Sequence, residues 1–466
     1  MKTKFAAAFL TLVLLAACEV GPDYERPSAP TSETYKEAGN WVPAAPKDDI
    51  NRGPWWMVFN DPMLDLLERQ VTVSNQNLIA AEAAYRQARA LTDEARVGLF
   101  PTVSVGSSYQ RSGTGQPHTI AANAYNLSAD ATWVPDIWGR IRRTIEQNEA
   151  LAQASAADLA SATLSAQALL ATDYFDLRVQ DETKALLDAT VLADRKALEI
   201  IQNQFDQGIV SKADVLQAET LLQSVRAQAV NTGVRRAQLE HAIAVLIGKP
   251  PAVFAIATST QMTGIPAIPV AMPSQLLERR PDIASAERQM AAANAVIGIQ
   301  VSAYYPDITL SASAGFASIA LGNLVSAPSF LWSFGPALSE TVFDAGARAA
   351  AVEAARAGYD QAVANYRQTV LSAFQQVEDN LSTLRVLAQQ AVIEDQTVAS
   401  SRQAEGLVFN QYKAGIVPYS SVLTAQTSTL NSEQTTLSVY QTRLEASVGL
   451  IQALGGGWSM AQLPKD

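Results

Sequence analysis

The chain has 466 residues, 48% of them hydrophobic and only 17% charged, with a formal net charge of −11, two histidines and one cysteine. Acidity of this degree argues against nucleic-acid binding, and a single cysteine leaves no intramolecular disulfide and no thiolate metal cluster. No stretch beyond the N-terminus is apolar enough for a membrane-spanning helix, so any crossing of a membrane has to be made by strands.

Residues 1–17 read as a secretory signal. Lys2 and Lys4 give the positive start, and the apolar run from Phe5 to Ala17 is too short to span a bilayer. Leu15-Ala16-Ala17-Cys18 resembles a lipobox, which makes Cys18 the acylated N-terminus of the mature protein; Glu19 follows it, compatible with export to the outer membrane. Residues 18–54 are proline-rich and aperiodic, an extended tether from that lipid.

Two copies of one unit follow. Asn203-Gln204-Phe205-Asp206-Gln207-Gly208-Ile209-Val210 recurs 207 positions later as Asn410-Gln411-Tyr412-Lys413-Ala414-Gly415-Ile416-Val417, and Gly139 and Gly248 recur at the same offset as Gly346 and Gly455. Repeat 1 covers 55–248: a helix over about 62–98, strands at 101–113 and 124–136, and a helix hairpin over 140–247. A second proline-rich stretch, 249–273, links it to repeat 2 at 274–455, with a helix over 274–304, strands at 306–318 and 329–343, and a hairpin over 347–454; 456–466 is a tail. Ser211 with Asp214 forms a capping pair at the first hairpin turn. A region as long as 140–205 spans roughly 100 Å as a helix, and two helices of about 36 residues laid end to end match it. Leu423, Leu430, Leu437, Leu444 and Ile451 form a heptad seam.

The four strands alternate apolar with small polar residues over about 10 positions, as membrane barrel strands do. Tyr125, Leu127, Ala129, Ala131 and Trp133 alternate with Asn126, Ser128, Asp130 and Thr132; Ile308 to Phe316 alternate likewise, as do Val103, Val105 and Tyr109, and Phe330, Trp332, Phe334 and Leu338. Four strands cannot close a barrel and lipid tolerates no open edge, so copies must associate; three copies give twelve strands and a conduit. The fold class expected is an internally duplicated α+β membrane protein, with four β-strands and long coiled-coil helices per chain, forming as a trimer a 12-stranded β-barrel on an α-helical barrel.

Several ordered motifs carry a family resemblance. They are Cys18 with Val20-Gly21-Pro22-Asp23-Tyr24-x-x-Pro27; Trp55-Trp56 with Phe59, Asp61-Pro62 and Leu64; Arg279-Arg280-Pro281-Asp282-Ile283 with Ala286-Glu287; and Ala453-Leu454-Gly455-Gly456-Gly457-Trp458. Together they resemble the TolC-like outer-membrane factor family, in its lipoprotein (OprM/NodT-type) branch of RND tripartite efflux systems, over essentially the whole mature chain. The resemblance implies a homotrimeric exit duct in the outer membrane, anchored by lipid and extending into the periplasm, with a periplasmic adaptor (membrane fusion) protein and an inner-membrane RND-type transporter as partners. It places adaptor contact at the hairpin tips, Gly208, Ile209, Val210 and Gly415, Ile416, Val417. Relatives often carry acids early in the final helix; here Ser421 and Thr424 stand there, so a constriction falls to Tyr419, Ser420 and Thr424, with Asp206 or Asp214 as substitutes for an acidic ring.

No enzyme site is visible and no cofactor is called for. His118, in a loop, and His241, on a helix, lack partner ligands, and Gly113-Thr114-Gly115 is not followed by the lysine and hydroxyl of a phosphate loop. The alternatives are a type I protein-secretion duct of the same fold or a structural envelope coiled coil. The negative charge suggests a preference for cations.

Overall fold

The computed structural model describes residues 19–30, 32, 34–37, 54–113, 121–268 and 276–464. The signal segment, Cys18, His118, residues 38–53 and the end of the linker lie outside the described residues. A 3-10 turn, Trp55–Phe59, leads into α1 (Pro62–Ser74) and α2 (Gln76–Val97). Strands β1 (Thr102–Ser112) and β2 (Ala122–Trp133) follow, then α3 (Arg140–Asp206) and α4 (Lys212–Leu246). The second repeat runs α5 (Leu276–Arg279), α6 (Pro281–Ser302), β3 (Asp307–Ser318), β4 (Phe330–Ser339), α7 (Ala347–Lys413) and α8 (Tyr419–Ala453). The duplication is metrical: α3 and α7 are each 67 residues long, α4 and α8 each 35.

The helix expected over 62–98 is two helices. Asn75 interrupts it in an extended conformation, and its side-chain oxygen accepts from the amides of Asn77 and Leu78 to cap α2. The helix expected over 274–304 likewise breaks, at Arg280, where the following Pro281 disfavours helical geometry for the residue before it. β4 also stops short of 343, because the chain after Ser339 turns toward α7.

Both breaks do the same work. Asn75 Nδ2 donates to the carbonyl of Leu246 at the end of α4, 2.8 Å, and Arg280 Nη1 donates to the carbonyl of Ala453 at the end of α8, 3.0 Å. Leu246 and Ala453 are the same position of the two repeats. Helix C-termini leave carbonyls without intrahelical partners, and here the neighbouring helix start supplies the donor. Just past each joint, Gly248 and Gly455 adopt φ of 70° and 93°, and a side chain on either would press into the carbonyl oxygen of Ser74 or Arg279. The short helices thus stand end to end, α2 above α4 and α6 above α8, flanked by α3 and α7.

The main core lies at these joints. Trp55, Trp56, Phe59, Leu64, Leu67 and Val71 pack with Tyr174, Phe175 and Leu177 of α3, Ile243 and Ile247 at the end of α4, and Leu444, Leu450 and Ile451 of α8. The indole of Trp55 donates to Gln167 and that of Trp56 to Asp65, so each large ring is buried without orphaning its N–H. Arg280 also binds Asp282 at 2.7 Å and Gln376 at 2.9 Å, which keeps a buried guanidinium paired.

The described N-terminal segment is a strap rather than a free tether. It starts beside Trp138, whose carbonyl accepts from Val20 at 3.2 Å, and follows α6 and then α7 away from the sheet. Buried Arg143 donates to Val20 O and is ion-paired with Glu19, Asp23 and Glu146. Asn294 Nδ2 donates to Pro22 O, Tyr24 OH to Glu287, Arg26 to Tyr366 OH, and the Lys36 and Glu37 amides to Glu378.

Glu68 on α1 has no such support: it is fully buried, and neither carboxylate oxygen has a hydrogen-bond partner among the described residues. Burial pushes its carboxyl up to about 9. An acid whose folded value is raised favours the folded state at low pH, and that contribution is lost as pH climbs from the ordinary carboxylate range toward 9. Glu68→Met is therefore expected to stabilise the protein at pH 8 by about 1–3 kcal/mol, the cost of an unsatisfied buried polar group. The gain should shrink at pH 5, as read by thermal unfolding in detergent.

Candidate functional site: the strand wall and the hairpin tips

The four strands form one antiparallel sheet in the order β1-β2-β3-β4. Residues directly opposite each other in a sheet share a face, so the register decides whether the alternating patterns add up. They do. Val105 pairs with Ala129, which pairs with Ala314, which pairs with Trp332; Val103, Ala131, Ala312 and Phe334 form the next such row. The other face carries the row Ser104, Asp130, Ser313 and Ser333, with Thr132 and Ser311 beside it. One face is thus apolar across all four strands and the other small and polar.

The apolar face is bare. Val105 is 75% exposed, Trp332 73% and Phe334 69%. Strands of 10–12 residues, tilted as barrel strands are, cover about 25 Å, the height of a lipid-facing band. Aromatic rings gather at both ends of the strands. At the far end Tyr109 lies against Tyr125 and Phe316 against Phe330. At the helical end Trp138 stacks on Tyr305 at 4.8 Å and donates to Pro306 O, while Trp133 donates to Leu99 O. Aromatic rings gathered at both ends of the strands, with the indole N–H groups of Trp133 and Trp138 satisfied, are the composition of a membrane interface. No helix among the described residues is long and apolar enough to cross a membrane.

At each strand-to-helix corner an aspartate holds the first turn of the long helix. Asp136 accepts from the amides of Ile141 and Arg142 and pairs with the Arg142 side chain; Asp344 accepts from the amides of Gly346 and Arg348 and pairs with Arg348 at 2.7 Å. Gly139 and Gly346, at φ of 79° and 90°, make the bend. Carboxylates at helix N-termini meet the positive end of the helix dipole, and these two fix the angle between sheet and helices.

The opposite ends of the long helices are the hairpin tips. Gly208 and Gly415 have φ of 75° and 72°, which lets the chain reverse in a few residues. Ile209 and Ile416 point outward, 66% and 71% exposed, whereas Val210 and Val417 are half-buried. Tyr419 is 2% exposed: it packs with Ile201, Val215, Ala218 and Val422 and lies 5.4 Å from the Tyr412 ring. Burial pushes its phenol well above the ordinary tyrosine range, with Asp194 adding to the effect. Ser420 and Thr424 are exposed, joined by a bond from the Thr424 hydroxyl to Ser420 O. Asp206 is exposed and accepts from Gln202. Asp214 is spent on a capping box, accepting from the amide and hydroxyl of Ser211 while its own amide donates to Ser211 Oγ. Tyr412 OH donates to Gln204 at 2.7 Å, tying one hairpin to the other.

Comparison with known proteins agrees with this surface. The family model described as outer membrane efflux protein matches residues 67–249 and 272–456, one segment for each repeat. The chain belongs to the outer membrane efflux protein family. It is 32% identical to the solvent efflux pump outer membrane protein SrpC of Pseudomonas putida over 481 residues, covering 99% of this chain and 100% of that protein. It is 28% identical to the cation efflux system protein CusC of Escherichia coli over 457 residues, covering 97% of this chain and 98% of the relative. Among solved structures, the outer-membrane channel OprN superposes with a TM-score of 0.87 at 29% identity, over 95% of this chain and 100% of that one. The protein is an outer-membrane channel of an efflux pump.

Within this channel the seam between the two repeats holds carboxyl pairs that sequence reading did not single out. Asp176 of α3 lies against Glu445 of α8, with Gln441 Nε2 donating to both and Arg235 of α4 3.6 Å away. Burial, then the hydrogen bond to Glu445, pushes the Asp176 carboxyl up to about 7. Nearer the tips, Asp194 of α3 is 4% exposed and faces Glu405 of α7; its Oδ2 has no partner among the described residues, and burial raises it to about 6. Partners 211 and 269 positions apart leave no local signal. His241 is exposed on α4.

Both raised acids favour the packed seam while protonated, and that contribution fades as pH rises from the ordinary carboxylate range through 6 to 7. Asp194→Asn should therefore flatten the pH dependence of amide exchange at the hairpin tips between pH 5 and 8, after correction for intrinsic rates. An unchanged profile would remove the seam as the cause.

Proposed function

We propose that three copies of the chain close the sheet into a 12-stranded barrel, with the helices continuing it as a tunnel across the periplasm, and that the assembly passively conducts small molecules delivered by an energised pump. The observation that carries this is the register. It unites an exposed apolar face with two unpaired edges, β1 and β4, and an unpaired edge in lipid costs several kcal/mol for each unsatisfied backbone group. Joining β4 of one copy to β1 of the next removes every edge at once.

The strap supports a lipid anchor at Cys18. Glu19 sits against Gly139 so closely that a side chain there would meet its Cγ at 2.7 Å. Glu19 and Val20, the described residues that follow Cys18 in sequence, lie beside Gly139 and Trp138, where sheet becomes helix, the level at which an acyl chain on the preceding residue would enter the inner leaflet. At the far end, Ile209 and Ile416 offer exposed apolar contacts of the kind a periplasmic adaptor would cover, with an RND-type inner-membrane transporter behind it. Ser420 and Thr424 are the exposed candidates for the narrowing there, and Asp206 is the only one of the two candidate acids whose carboxylate is not committed to a helix cap. Tyr419 acts from behind, as the buried support of that turn.

Reconstituted into planar bilayers, the mature protein is expected to conduct. Deleting the β1–β2 hairpin around Tyr109 should abolish both conductance and the heat-modifiable band of a folded barrel on gels. Cys18→Ala should leave conductance intact while lowering the amount of protein recovered in outer membranes. Ile209→Asp with Ile416→Asp should weaken capture of the co-expressed adaptor by at least tenfold without altering the isolated channel.

A further inference from the structure

The polar face of the sheet is nearly free of charge. Its four strands hold three charged residues in all: Arg111 on the apolar side near the outer end, Asp307 at the periplasmic rim facing Arg140 at 4.0 Å, and Asp130. Asp130 stands inside the wall, in register with Ser104 on one side and Ser313 on the other, with Ser333 beyond. The Ser313 hydroxyl donates to Oδ1 at 2.7 Å and the Ser128 hydroxyl to Oδ2 at 2.8 Å. Both donors come from the sheet itself, so the carboxylate is held at a fixed place without a basic partner among these contacts. Among the described residues the bonds to this acid come from serine hydroxyls alone, so no paired base cancels its field.

We propose that Asp130, repeated in each copy of the ring, sets the charge selectivity of the barrel by favouring cationic over anionic solutes. This rests on the trimeric barrel proposed above and puts the cation preference on one residue rather than on net charge. Twelve strands about 4.8 Å apart and tilted by about 40° close at a radius of about 12 Å. The screening length is about 10 Å at 0.1 M salt, 30 Å at 0.01 M and 3 Å at 1 M. Three carboxylates at that radius therefore reach the axis in dilute salt and do not reach it in concentrated salt. Screened Coulomb energies in water give a cation-to-anion ratio of about threefold at 0.1 M and roughly tenfold at 0.01 M, falling close to one at 1 M.

The test is the reversal potential of the full-length reconstituted channel in potassium chloride gradients centred on those concentrations. Asp130→Asn, which keeps an acceptor for a serine hydroxyl, is expected to cut the permeability ratio by about threefold at 0.1 M and to abolish most of its salt dependence. Asp130→Cys provides an independent reading, because Cys18 is the only other cysteine in the chain. Modification with a negatively charged methanethiosulfonate should restore cation preference, and a positively charged one should reverse it. A conducting channel whose ratio survives both substitutions, or whose modified forms are alike, overturns the assignment. Absence of conductance in the unmodified protein would instead overturn the barrel on which it rests.

Discussion

Everything in this molecule answers to the need to satisfy backbone groups where water cannot. A sheet with one face bare to lipid has to end somewhere, and its terminal strands carry N–H and C=O groups that hydrocarbon cannot solvate. Among the described residues no strand pairs with those edges, and Arg111 near the outer end of β1 is the one charge on either strand, where soluble sheets commonly cover or charge their edges. β1 and β4 are the end strands of the sheet and carry strongly exposed apolar side chains, Val105 and Trp332 among them. Only copies of itself complete such a surface on both sides without leaving another edge.

The same accounting governs the helices. A tunnel that spans a wide compartment needs columns far longer than ordinary helices, and each repeat supplies one continuous column and one made of two pieces. The jointed column is held where Asn75 and Arg280 donate to the carbonyls of Leu246 and Ala453. The Arg280-Pro281-Asp282 motif is thus a splice: proline starts the upper helix, arginine closes the lower one, and the aspartate neutralises the arginine. Duplication makes the two halves metrically alike, whereas Asp176–Glu445 and Asp194–Glu405 join residues that are not repeated at the equivalent positions, where Thr383, Gln238, Ser401 and Leu198 stand. Pseudosymmetry sets the shape, and its violations set where buried acids with raised carboxyl pKa values face each other across the seam.

Much of this is legible in the sequence alone. The 207-residue offset gave the duplication, and period-two alternation gave all four strands, because glycine turns and pleated faces leave marks within ten residues. Local marks of the two breaks were present, Thr72-Val73-Ser74-Asn75 in one repeat and Pro281 after Arg280 in the other, but the long helical stretches around them outweighed these marks, and the contacts the breaks serve, 171 and 173 positions away, leave no local signal. Tyr419 illustrates another limit. Its place beside the turn was evident, but only packing against Ile201 and Val215 shows the ring inside the tip. Asp214 looked equally available as an acid and as a cap, and the capping box resolves it as a cap.

The strap has a consequence for biogenesis. Residues 19–37 leave the export machinery first, yet the groups that hold them extend from Trp138 through Glu287 and Tyr366 to Arg385. The head of the polypeptide waits for its tail. Its seating can be completed only after four-fifths of the chain has emerged and both halves lie side by side, so protease resistance of this segment would mark the moment at which a protomer is finished.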